Sequence, residues 1–68
     1  MIIILSYDIT ETPKRNKIIR ILRAYGKRVQ KSVFECDITE KEKLDIFSKI
    51  VKIIGKGKIE KRPEYLII

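Results

Sequence analysis

The chain has no histidine, one cysteine and three glycines in 68 residues. Without histidine it can build neither a Ser-His-Asp nor a Cys-His catalytic arrangement, and it has no Cys/His set for zinc. A single cysteine excludes an internal disulfide, and Cys36 reads as a small buried hydrophobe. The glycines lie too far apart for a dinucleotide-binding fingerprint, and no G-x-x-x-x-G-K-[ST] phosphate loop is present. Three tyrosines and two phenylalanines are too few for the aromatic array of an RRM-type single-strand reader. No apolar run approaches the roughly 20 residues needed to span a bilayer. The amino-terminal apolar run is too short for a signal peptide and has no basic residue before it. A soluble, cytoplasmic protein with no membrane association is expected.

What is present in excess is positive charge. Sixteen Lys/Arg face nine Asp/Glu, a net charge of +7, and the imbalance is uneven. Residues 1–34 hold eight basic side chains against two acids, whereas residues 35–68 hold eight against seven. A one-sided excess attracts polyanions, and nucleic acid is the first of these for a cytosolic protein. The length suits one small domain, 1–68, without repeats or linkers. A domain of this size buries only about 60% of the surface its unfolded chain exposes, so a second subunit is the expected support.

The opening Met1-Ile2-Ile3-Ile4-Leu5-Ser6-Tyr7-Asp8 is an apolar run that ends on a carboxylate. Its five large apolar residues predict a strand buried on both faces, holding Asp8 at the carboxyl end. Thr12-Pro13 predicts a helix start, with Thr12 as N-cap, and the helix is expected from Pro13 to Tyr25. Ile18, Ile21, Leu22 and Tyr25 form its apolar stripe and Gly26 its stop. Lys14, Arg15, Lys17, Arg20 and Arg23 cover the remainder of that helix. Arg28-Val29-Gln30 and Val33 to Ile38 predict a hairpin turning at Lys31-Ser32. Thr39 and Glu42 form a capping-box pattern, opening a second helix with Leu44, Phe47, Ile50, Val51 and Ile54 as its stripe and Gly55 as its stop. Lys56 to Arg62 reads as an irregular basic connection, prolonged by Pro63 to Glu64, before a last strand over Tyr65-Leu66-Ile67-Ile68. Strand, helix, strand, strand, helix, strand is the ferredoxin-like α+β order, βαββαβ: an antiparallel sheet with two helices on one face and an apolar opposite face. That bare face predicts a homodimer.

Without histidine, any hydrolysis must use carboxylates, a metal and water. A divalent ion on Asp8 could polarise a phosphodiester and lower the pKa of a bound water. Magnesium accepts one or two protein carboxylates and fills its octahedron with waters, so two copies of Asp8 across a twofold axis make a more credible site than one. Glu11 and Glu35 are reserves, although Glu11 suits a helix amino terminus and Glu35 a solvent-facing strand position. The basic side chains Lys14, Arg15, Lys17, Arg20 and Arg28 predict contacts to the phosphate backbone, without base readout. Phe34 and Tyr7 are either base-stacking residues or core, and strand aromatics are more often core.

The opening Ile-Ile-Ile-Leu-Ser-Tyr-Asp-Ile, the basic first helix and Gly26-Lys27-Arg28-Val29-Gln30-Lys31-Ser32-Val33-Phe34-Glu35-Cys36 together resemble the second core CRISPR-associated protein, the small ferredoxin-like subunit of the spacer-acquisition machinery. The resemblance implies a homodimer whose two strand-1 aspartates share one magnesium ion, and a bridge between copies of the CRISPR integrase with DNA or RNA along the basic surface. It also implies metal-dependent endonuclease activity on single-stranded RNA or double-stranded DNA in some members. By position Asp8 resembles the family's metal-binding aspartate and Tyr7 its catalytic neighbour. Arg15 and Arg28 resemble its functional arginines, and Phe34 its supporting phenylalanine. Lys17 stands where some members carry arginine, which keeps the charge but not the planar fork. Members usually continue into a further strand that pairs with the partner subunit, whereas this chain stops on Ile68, so an open sheet edge is expected. Two other readings remain: a toxin-like ribonuclease of the related virulence-associated D family, and a non-catalytic ferredoxin-like binding module.

Overall fold

In the computed structural model, residues 1–62 and 64–68 are described, and Pro63 lies outside them. The order is β1 (Ile2–Ser6), α1 (Thr12–Arg23), β2 (Lys27–Gln30), β3 (Val33–Asp37), α2 (Glu40–Ile54), a 3-10 turn (Lys56–Lys58), β4 (Glu60–Lys61) and β5 (Tyr65–Ile67). The fold is α+β and ferredoxin-like, with strands in the order β2-β3-β1-β5-β4. The sheet is mixed and not wholly antiparallel. β1 pairs antiparallel with β3, Ile3 opposite Cys36 and Leu5 opposite Phe34, but β5 runs parallel to β1, with Leu66 beside Leu5. The reversal comes from β4, in a stretch expected to be irregular. Glu60 and Lys61 pair antiparallel with Ile67 and Leu66, and that small hairpin turns the chain so that β5 enters beside β1 in the same direction.

Strand alternation sorts β1 into two faces. Ile3, Leu5 and Tyr7 are buried against the helices, whereas Ile2 is 52% exposed and Ile4 half-buried. The expectation of a strand buried on both faces therefore fails, because no second layer of this chain covers the other side. Phe34, Cys36 and Ile38, then Ile18 and Leu22 of α1, Ile46 and Ile50 of α2, and Leu66 complete the core. Tyr65 and Ile67 join Ile2 among the exposed large apolar residues. No described helix is long and apolar enough to cross a membrane.

Helix α1 starts one residue early. Glu11 is the N-cap, in extended conformation and without a side-chain cap bond, and the Arg15 amide donates to its carbonyl at 3.0 Å. Thr12 is thus the first helical residue. Its hydroxyl does not cap, and Pro13 still sits where a missing N–H costs nothing. Gly26 serves close approach more than termination. A Cβ there would collide with the Glu35 carbonyl oxygen and the Cys36 side chain and lie 2.9 Å from the Cys36 Cα. Among the described residues only Gly55, at φ 89°, has a positive φ.

The capping box at the start of α2 forms as expected: the Glu42 amide donates to the Thr39 hydroxyl at 3.1 Å, and the Thr39 amide to the Glu42 carboxylate at 2.9 Å. The buried stripe is rotated from the predicted one. Lys43, Ile46 and Ile50 face inward, Phe47 and Ile54 are partly buried, and Leu44 is 53% exposed. Apolar spacing alone omits Lys43 from the inward face, because a lysine carries no apolar signal. Its aliphatic stem packs inward, and the Lys43 Nζ donates to the Arg62 carbonyl at 2.7 Å, so the charge meets an acceptor just past the end of β4.

Burial, reinforced by the neighbouring Glu35 carboxylate, pushes the Cys36 thiol up to about 11. The unfolded chain loses this proton near its ordinary value while the folded chain keeps it, so stability is full below about 9 and falls as pH rises towards 11. Thermal melts at pH 8 and pH 10.5 should show this fall, and Cys36→Ala should lessen it. Equal pH sensitivity in the two proteins would remove Cys36 as a cause. At neutral pH the thiol should resist alkylation until the protein unfolds.

Candidate functional site

Two clefts border α1. The larger, about 640 Å³, lies between the helix and the turn of the β2–β3 hairpin, with Arg15, Asn16, Ile19, Arg20 and Arg23 on one wall and Arg28, Lys31 and Ser32 on the other. Helical spacing builds the first wall. Arg15, Ile19 and Arg23 stand four residues apart, Asn16 and Arg20 form the adjacent row, and the buried Ile18 and Leu22 hold that side of the helix beside the sheet. Strand register builds the second, since Arg28 is the β2 partner of Phe34 and shares its face of the sheet. Five cationic side chains and no carboxylate line this cleft. The arrangement suits a ligand carrying several negative charges.

One of the five is held by a network. The Arg28 Nε donates to the Lys31 carbonyl at 3.1 Å, and its Nη2 donates to the Tyr7 hydroxyl at 3.0 Å. The Tyr7 hydroxyl in turn donates to the same Lys31 carbonyl at 3.0 Å. The guanidinium carbon lies 6.0 Å from the Phe34 ring centroid, and the Tyr7 and Phe34 rings are 6.3 Å apart at 36°. Tyr7 is 6% exposed and Phe34 fully buried, so both rings belong to the floor beneath Arg28 and neither offers a free face to a base.

The second cleft, about 470 Å³, gathers Asp8, Glu11, Lys14 and Lys58 with Ile54 and Ile68. Pairing with β5 continues past the end of β1, because the Asp8 amide donates to the Ile68 carbonyl at 3.2 Å. A paired backbone thus holds an exposed carboxylate whose side chain makes no hydrogen bond or ion pair among the described residues. Lys14 lies 3.5 Å from Glu11, and both are well exposed, so that ion pair contributes little stability.

The side chains grouped together in the sequence therefore divide. Arg15, Arg20 and Arg28 meet in the first cleft, joined by Arg23 and Lys31. Arg23 could have been added from its eight-residue spacing to Arg15, whereas Lys31 has no sequence signal beyond its turn position. Lys14 lines the Asp8 cleft, and Lys17 is exposed and lines neither. The two clefts share no lining residue, so Asp8 is not a wall of the arginine cleft. Among the described residues no three His, Cys, Asp or Glu side chains converge as a metal site. One chain brings Asp8, with Glu11 lining the same cleft. That donor set is compatible with a largely hydrated magnesium ion and inadequate for a closed, all-protein cage.

Comparison with known proteins gives a consistent picture. The family model described as CRISPR associated protein Cas2 matches residues 1–62. A CRISPR-associated endoribonuclease Cas2 of Chloroflexus aurantiacus is 39% identical over 57 residues, covering 84% of this chain and 61% of the relative. A CRISPR-associated endonuclease Cas2 of Thermus thermophilus is 36% identical over 52 residues, covering 76% of this chain and 58% of the relative. An endoribonuclease Cas2 of Pyrobaculum aerophilum is 41% identical over 58 residues, covering 84% and 63%. The chain thus spans about three fifths of the length of these curated relatives. No solved structure matches it significantly.

Proposed function

Because the chain belongs to the CRISPR-associated Cas2 family, we propose that it is a cytoplasmic CRISPR adaptation subunit that binds DNA or RNA along the arginine cleft, bridges the integrase, and cleaves phosphodiesters at Asp8. The observation that carries the binding reading is the first cleft, where five cations and no acid line one surface. Such a site recognises the regularly spaced charges of a nucleic-acid backbone and not the identity of its bases.

Cleavage requires a second copy. The open sheet face carries Ile2, Tyr65 and Ile67 exposed and Ile4 half-buried. Strand alternation puts Asp8 on the side of Ile4 and Ser6, opposite Tyr7. A twofold axis through this face would cover the apolar residues and bring two Asp8 carboxylates towards each other. Together they would hold one magnesium ion, which when bound supplies charge neutralisation at the phosphate and a more acidic water. Asp8 itself would orient the hydrated ion from a backbone fixed by its bond to Ile68. The arginine cleft would hold the flanking phosphates, and cleavage would be indifferent to the base at the scissile position. The names of the relatives, endoribonuclease in some and endonuclease in another, support this chemistry.

Fluorescence-anisotropy titrations of a duplex DNA and of a single-stranded RNA, run from low to high salt, test the binding reading. A plot of log affinity against log salt should have a slope of roughly −3 to −5 for a duplex, set by the number of phosphates contacted. Arg20→Ala and Arg23→Ala should each reduce its magnitude by about one, because each removes one phosphate contact. Binding that is salt-insensitive, or unchanged in both variants, would favour a ferredoxin-like module with another partner.

A further inference from the structure

The geometry points to Tyr7 as the positioning residue for Arg28: its buried hydroxyl, together with the Lys31 main-chain carbonyl, sets the plane of the guanidinium so that its remaining N–H groups meet a backbone phosphate in the arginine cleft. The inference rests on the binding reading above and gives Tyr7 a role outside the cleavage chemistry.

An arginine side chain carries five N–H donors in a rigid plane. In Arg28, Nε is committed to the Lys31 carbonyl and one Nη2 hydrogen to the Tyr7 hydroxyl. Three donors are left for a ligand among the described residues. Two bonds to two acceptors on one edge determine the plane of the group, which one bond would not do. The acceptors are themselves tied together, because the Tyr7 hydroxyl donates its own hydrogen to that same carbonyl. Tyr7 is therefore obliged to accept from Arg28: its one proton is engaged elsewhere, and only its lone pairs face the guanidinium. Beneath, the Phe34 ring limits the movement of the group towards the core.

The rest of the cleft shows what such fixing adds. Arg15, Arg20 and Arg23 come from a helix surface and make no side-chain hydrogen bond or ion pair among the described residues, so each must lose rotamer freedom when it takes a phosphate. Arg28 has lost much of that freedom already, and a pre-oriented planar fork suits two oxygens of one phosphate where a point charge does not. Tyr7 is 6% exposed. It lies outside the set of residues lining the cleft, so its influence on a ligand must pass through Arg28.

A double-mutant cycle on the intact chain tests this, using a fluorescein-labelled duplex DNA of random sequence. Tyr7→Phe, which removes one oxygen and keeps the ring, should weaken binding about 5-fold and reduce the salt slope by up to one. Arg28→Lys should weaken it to a similar degree, because charge is kept but the fork is lost. Tyr7→Phe added to Arg28→Lys should then have no further effect, since there is no plane left to set. An equal loss from Tyr7→Phe in both backgrounds would overturn the proposal, as would wild-type binding by Tyr7→Phe. Should Tyr7→Phe unfold, the Arg28 Nε–H resonance of the wild-type protein decides. Protection from solvent exchange before duplex is added supports a preset guanidinium, and free exchange overturns it. Absence of wild-type binding at low salt would remove the nucleic-acid reading and this inference together, whereas intact binding with no coupling removes the inference alone.

Discussion

Alanine at Asp8 will abolish the proposed magnesium-dependent cleavage while leaving the fold and the proposed nucleic-acid binding close to wild type. The structure places the two proposed sites in separate clefts. The Asp8 carboxylate is exposed and makes no side-chain bond among the described residues, and its only tie to the fold, the amide bond to Ile68, survives the substitution. Stability should therefore change by less than about 0.5 kcal/mol, as at an ordinary surface position. The side chains proposed to contact phosphate lie in the other cleft. Affinity for a duplex should move by less than about 2-fold, and upward if anything, because a negative charge is removed from the neighbourhood of the polyanion. Cleavage, by contrast, loses the one carboxylate at the end of β1 and should fall by at least about 100-fold. Gel-resolved cleavage of RNA and duplex DNA with and without magnesium, alongside anisotropy binding and a thermal melt of the same preparations, measures all three. Undiminished cleavage by Asp8→Ala would remove Asp8 from the chemistry. Concentration-dependent particle mass in the same samples reports whether activity follows the dimer, as a site shared by two chains requires.

Alanine at Phe34 will unfold the protein at room temperature. The side chain is fully buried, sits opposite Leu5 across the β1–β3 ladder, and supports Tyr7 on one side and Arg28 on the other. Deleting a buried phenylalanine to alanine costs about 3–5 kcal/mol, the lost transfer energy plus the cavity left behind. A single core in a domain this small rarely supplies more than about 3–5 kcal/mol in all. The loss and the reserve are equal in size, so the cooperative transition should vanish from a urea titration followed by circular dichroism. Phe34→Leu, which retains most of the volume, should remain folded and lose about 1 kcal/mol. If Phe34 were instead a stacking platform for bases, Phe34→Ala would keep its wild-type melting temperature and lose only affinity. That result would show the core assignment to be wrong.

Much of the fold was legible in the chain. The Thr39–Glu42 capping box, the hairpin turn at Lys31-Ser32 and the inward Ile18 and Leu22 all depend on neighbours within a few residues, and local spacing is what a sequence displays. Errors arose where a local rule met a distant partner. Thr12 has the chemistry of an N-cap, but it is the first helical residue, and Glu11 holds the cap position. Lys43 reads as solvent-facing, yet it is buried because the Arg62 carbonyl, nineteen positions away, accepts from its Nζ. Leu44 is displaced outward as a consequence, since the two cannot share one helical face.

The candidate site divides along the same line. Its ingredients were present in the chain alone: a carboxylate closing a strand, a helix rich in arginine and lysine, no histidine, and a net positive charge concentrated in residues 1–34. Those features are what direct the proposal towards metal-assisted chemistry and a polyanionic ligand. Folding alone sorts Lys14 to one side of α1 and Arg15 to the other, so that Asp8 and the arginine cleft have separate walls. Folding alone also makes the Lys31 carbonyl an acceptor for both Tyr7 and Arg28. A main-chain carbonyl carries no residue-type signature, and the residues that converge on it lie 24 and 3 positions away. Periodicity tells which face of an element is apolar or charged; which other element that face meets, and at what distance, is set by the packing of the whole chain.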